Sequence, residues 1–122
     1  MAPSHVQIAT SALQRLLKEE VSYFKEQEQQ EARIAKLEKE GPSAGDSDGN
    51  AEFLLKQERK ALEETKAVIP TLRERITSAR EKLESLLDTA ATDEERNTAV
   101  EVLKSAKEAQ KDDPIAGQAQ QK

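Results

Sequence analysis

From Leu55 to Leu86 the chain steps in threes and fours: Leu55, Glu58, Leu62, Thr65, Ile69, Leu72, Ile76, Ala79, Leu83, Leu86. Eight of these ten are apolar, and the residues between them are mostly Lys, Arg, Glu or small polar types. A mean spacing of about 3.5 residues holds one stripe on one side of a helix for about nine turns. A strand would need alternation at a period of two, which this segment lacks. A stripe this long is not stable facing water. It must lie against another helix, from this chain or from another.

The same reading places a first helix over about 6–40, with Leu13, Leu16, Leu17, Val21, Phe24, Ile34 and Leu37 as its apolar set. Between Lys25 and Arg33 the sequence is KEQEQQEAR, and Gln27, Glu28 and Glu31 occupy positions assigned to the seam. The helices either splay there, with long side chains laying their stems over the seam, or present a polar surface to a partner. Residues 41–50, GPSAGDSDGN, hold three of the four glycines and one of the four prolines. Gly41 suits a helix C-terminus and Pro42 prevents continuation, so a flexible loop is expected there.

The second helix is expected over about 51–88, with Asn50 as its N-cap. Pro70 lies inside it, lacks an amide donor and crowds the carbonyl of Lys66, at a cost of about 3 kcal/mol. The three-four pattern nevertheless keeps its register across Pro70, so one continuous helix is expected, bent at the proline, with Pro70 on its outer face. A third helix over about 92–111 starts at a capping box, Thr92-Asp93-Glu94-Glu95. Its apolar face is Ala99, Val100, Val102, Leu103, Ala106 and Ala109. The tail over 112–122, with Pro114, Gly117 and a Gln-rich end, reads as disordered. The fold class is therefore all-α: an elongated antiparallel three-helix bundle over 1–111 with left-handed coiled-coil-like packing. The short third helix covers only part of the long hairpin.

Composition narrows the function. The chain has 122 residues, a net charge of -5, 2% aromatics, one histidine and no cysteine. Disulfides and thiolate metal sites are excluded, and His5 alone near the N-terminus supports no metal or acid–base chemistry. The basic and acidic groups number six and seven over 1–40, and eight and seven over 51–87. They number four and eight over 88–113, so no segment forms the basic arm that nucleic acid requires. No apolar run approaches the roughly 20 residues of a membrane span. The opening MAPSHVQIATSAL lacks the pattern of a secretory signal. These features suggest a cytosolic protein.

There is no phosphate-binding glycine loop, nucleophile elbow or His–Glu zinc pair. GDSDGN resembles the start of a calcium loop, but the twelfth residue from Asp46 is Gln57 rather than glutamate. Helix carboxylates are interleaved with cations, as in Glu52–Lys56, Lys60–Glu64 and Arg80–Glu84, which is ordinary surface support. An enzyme is not expected, nor a cofactor, a metal or a small-molecule substrate.

Three segments carry a resemblance. SALQRLLKEEVSYFKEQEQQEARIAKLE (Ser11–Glu38), ETKAVIPTLRERITSAREKLESLL (Glu64–Leu87) and TAVEVLKSAKEA (Thr98–Ala109) resemble, in order, the three helices of the tubulin-folding cofactor A family. The Val68-Ile69-Pro70 step resembles that family's proline-containing second helix. The longer connection over 41–50 and the extended tail depart from the pattern, and neither touches a helix. The resemblance implies a non-catalytic cytoplasmic, cytoskeleton-associated chaperone. Such a protein binds β-tubulin after its release from the chaperonin and holds it for αβ-heterodimer assembly, with other tubulin-folding cofactors as further partners.

Candidate partner-binding residues follow from the helix geometry. Tyr23 and Phe24 point about 100° apart, so one belongs to the core and the other is partly exposed. Tyr23 would be an interface anchor if exposed, or a core-edge residue. The bend at Pro70 either curves the helix around its neighbour or shapes a concave binding face, and Arg73, Arg75 and Arg80 after it either meet acidic groups on the partner or form a solvated face. The competing reading is a structural or adaptor protein acting through homo-oligomeric coiled-coil association, which the Leu55–Leu86 stripe alone would also support.

Overall fold

The computed structural model describes residues 3–40 and 50–111, and in them three α-helices pack together without a strand. They are α1 (His5–Glu40), α2 (Asn50–Leu86) and α3 (Asp93–Gln110), with a single 3-10 turn, Leu87–Thr89, after α2. The expected tail and all of the expected loop except Asn50 lie outside the described residues. Asn50 is the first residue of α2 rather than its cap. The helix runs unbroken through Pro70, which is exposed, as the register across it requires.

Two of the helix starts are built by side chains. At α3 the Glu95 amide donates to Thr92 Oγ1 at 3.1 Å, satisfying one of the orphan donors of the first turn. The Glu95 carboxylate reaches back one residue further than a standard capping box, accepting from the Ala91 amide at 3.2 Å. At α1, Ser4 and Gln7 cap reciprocally: the Gln7 amide donates to Ser4 Oγ at 3.1 Å, and the Ser4 amide donates to Gln7 Oε1 at 3.0 Å. The Ser-x-x-Gln spacing is a sequence-level start signal that the apolar pattern does not reveal.

On α2 every one of the ten stripe positions from Leu55 to Leu86 is buried or half-buried. On α1 the positions with the same spacing are Val6, Ala9, Leu13, Leu16, Glu20, Tyr23, Gln27, Gln30, Ile34 and Leu37, and none of these is exposed. This register corrects the expected apolar set. Val21 and Phe24 lie one position off the repeat, about 100° around the helix, and are exposed at 53% and 36%. Glu28 and Glu31 are exposed for the same reason, while Gln27 keeps its seam place and Gln30 is buried. On α3, Ala99, Val102, Leu103 and Ala106 are buried as the pattern requires, but Ala109 is exposed and Gln110 is buried beside it.

The chain divides into two compact units. One comprises the residues up to Glu20 together with those from Leu72 onward, and it is where α3 packs. Its core is Val6, Ala9, Leu13, Leu72, Ile76 and Leu83 against the α3 residues Ala99, Val102, Leu103 and Ala106. The other unit, Val21–Thr71, takes the second half of α1 and the first part of α2. Among the described residues its buried apolar side chains are Ile34 and Ile69.

Candidate interaction surface

The residues expected at a partner fall into different settings. In the three-helix unit, Arg73 lies with its Nε 3.8 Å from the Glu20 carboxylate, the two side chains being 20% and 5% exposed. Glu20 occupies a seam position, where a carboxylate is costly unless a cation faces it. Arg80 Nη1 donates to Gln110 Oε1 at 2.7 Å, and Gln110 Nε2 donates to Thr77 Oγ1 at 2.8 Å. These two bonds tie the last turn of α3 to α2. They also set a guanidinium near a helix C-terminus, where the partial negative charge favours it. Arg80 Nε is also 3.5 Å from Glu84, as the expected i,i+4 pairing implies.

Arg75 is exposed. The seven-residue step from Arg73 to Arg80 returns to one face of α2, whereas the two-residue step to Arg75 turns about 200° away. The three arginines therefore do not form one basic patch. In the two-helix unit Pro70 is exposed and Tyr23 is half-buried on the seam, leaving its neighbour Phe24 as the more exposed aromatic.

The pattern reading missed further exposed apolar side chains: Phe53 at 57%, Leu54 at 44% and Val68 at 39%. Counting the repeat of α2 back from Leu55 puts Phe53 and Leu54 off the seam. Their exposure was thus available from spacing. With Val21 and Phe24 they belong to the two-helix unit, and Ile8 is the corresponding exposed residue of the three-helix unit.

A groove of about 360 Å³ runs between α1 and α3, lined by Gln7, Thr10, Gln14, Glu94, Glu95 and Thr98 among others. Ser4 Oγ donates to Glu95 Oε1 within the same unit, and Glu95 also caps α3, so this carboxylate serves structure. Among the described residues no group of His, Cys, Asp or Glu is placed to hold a metal ion. No described helix is long and apolar enough to cross a membrane. Among the described residues, the exposed side chains of Phe53, Leu54 and Val68 are surface of the kind that protein partners contact.

Comparison with known proteins agrees with that picture. A family model described as "Tubulin binding cofactor A" matches residues 1–110. A protein of Saccharomyces cerevisiae called "Tubulin-specific chaperone A" is 40% identical over 108 residues, covering 88% of this chain and 95% of that protein. Proteins of the same name from Mus musculus and Rattus norvegicus are 32% and 33% identical over 83 residues, covering 68% of this chain and 69% of each relative. No solved structure gives a significant match.

Proposed function

Because the chain belongs to the tubulin binding cofactor A family, we propose that it is a tubulin-binding folding cofactor, and specifically one that holds β-tubulin. In this reading it takes β-tubulin after chaperonin release and keeps it competent for assembly into the αβ-heterodimer, in the cytoplasm and beside the cytoskeleton. The family is one of non-catalytic chaperones, so the work is binding. The observation that carries the reading is the match across residues 1–110, which spans all three helices rather than a single heptad stretch that any coiled coil could share.

The physical picture supports it. A holder needs a scaffold with side chains left over for its client, and here the seam positions are buried or half-buried within the chain while Phe53, Leu54 and Val68 remain exposed. Exposed apolar and aromatic side chains are what protein interfaces draw on. Pro70 and Arg75 are accessible contact candidates and Tyr23 offers one edge, whereas Arg73 and Arg80 are half-buried and engaged within the chain by Glu20, Gln110 and Glu84. With a net charge of -5 the chain relies on such local groups rather than on bulk attraction.

The test is direct. Purified protein mixed with folded β-tubulin is expected to sediment as a stoichiometric complex and to shift on a native gel. Absence of a complex while the tubulin stays folded would overturn the reading.

A further inference from the structure

The two compact units differ sharply in what holds them together. Of the buried apolar side chains among the described residues, ten lie in the three-helix unit and two, Ile34 and Ile69, in Val21–Thr71. The remaining buried positions of the two-helix unit are Gln30 and Thr65. Thr65 Oγ1 donates to the Ala61 carbonyl of its own helix at 3.0 Å and so does nothing to join α1 to α2. Gln27 likewise spends its amide within α1, donating to Glu31 Oε1 at 3.0 Å. Gln30 is 5% exposed and its Oε1 has no hydrogen-bond partner, so this seam position weakens the pair it sits in.

Two ion pairs also cross between the helices of this unit. Arg59 donates to Glu38 at 2.8 Å with both side chains more than half exposed, and Arg33 lies 3.5 Å from Glu58. An exposed pair such as Arg59–Glu38 contributes about 0–1 kcal/mol, and Glu58 of the second pair is a half-buried seam residue. Two isoleucines, the half-buried Tyr23 and leucines, and two ion pairs must therefore hold two helical segments that would be marginal alone. The three-helix unit instead surrounds Leu13, Ile76 and Leu83 on all sides and is cross-tied by Arg80, Gln110 and Thr77. Local stability follows buried apolar contact, so the two units cannot have equal opening free energies.

We infer that Val21–Thr71 opens as a cooperative unit of its own, its two helical segments parting while the three-helix unit stays folded. The opening bares Ile34 and Ile69 and the half-buried Leu37, Leu55 and Leu62. It is a built-in conformational device, placed there by the polar middle of α1. It follows from the distribution of buried side chains and stands whether or not the tubulin reading does.

Native-state hydrogen exchange of the full chain, followed by mass spectrometry across a urea series, tests it. Amides within 24–37 and 54–69 are expected to exchange sooner than those within 76–83 and 99–106. They should also show a shallower dependence on urea, because less surface is exposed in the local opening. Leu103→Ala supplies a second readout. It should cut the protection of 76–83 and 99–106 by about 30-fold or more and leave that of 54–69 unchanged, since the core it damages is intact in the locally open state. Equal protection with one common urea slope in the unaltered chain would overturn the inference. So would an equal loss in both units on Leu103→Ala. If that variant does not fold, the urea series on the unaltered chain still decides.

Discussion

Gln30 sits where the repeat of α1 places an apolar side chain, and burial leaves its Oε1 without a partner. A buried acceptor that has lost its water costs about 1–3 kcal/mol. Gln30→Leu is therefore expected to raise stability by about 1 kcal/mol or more, read as a higher urea midpoint with an unchanged slope. No change would mean that the amide is satisfied in solution. Glu20 is the opposite case, a buried carboxylate at a seam position with Arg73 beside it. Replacing both partners of such a pair by apolar side chains is often neutral for stability, whereas removing one alone is costly.

Among the elements, α2 carries the clearest conflict between local preference and tertiary demand. Pro70 lies inside the helix and leaves the Lys66 carbonyl without its usual amide, yet Ile69 and Leu72 on either side are buried in register. Packing of the stripe outweighs the local cost. Since Pro70 is itself exposed, Pro70→Ala removes a penalty of up to about 3 kcal/mol without disturbing a core contact. A higher melting temperature is expected. Should binding of β-tubulin weaken while the melting temperature rises, the proline acts on the partner rather than on the fold.

For the molecule as a whole, the question is whether the helices need a second copy. All ten stripe positions of α2 and the matching ten of α1 are buried or half-buried within one chain. Helicity measured by circular dichroism is therefore expected to stay constant as the protein is diluted, whatever association light scattering finds at high concentration. An obligate coiled-coil oligomer would lose helicity on dilution, and that outcome would favour the competing homo-oligomeric adaptor.

The three helices, the stripe of α2, the continuity through Pro70 and the cap at Thr92 were all legible in residue order. Each depends on contacts within a few turns of one helix, and periodicity reports such contacts faithfully. The middle of α1 was not legible. A search for apolar residues settles on Val21 and Phe24, whereas the seam runs through Glu20, Tyr23, Gln27 and Gln30 one position away. Nothing local distinguishes a buried glutamate from a solvated one; what faces it decides, and Arg73 is 53 positions along the chain from Glu20. The same holds for the Arg80–Gln110 tie and for the unequal cores of the two units. These depend on which distant side chains share a space, and that is a property of the packed chain.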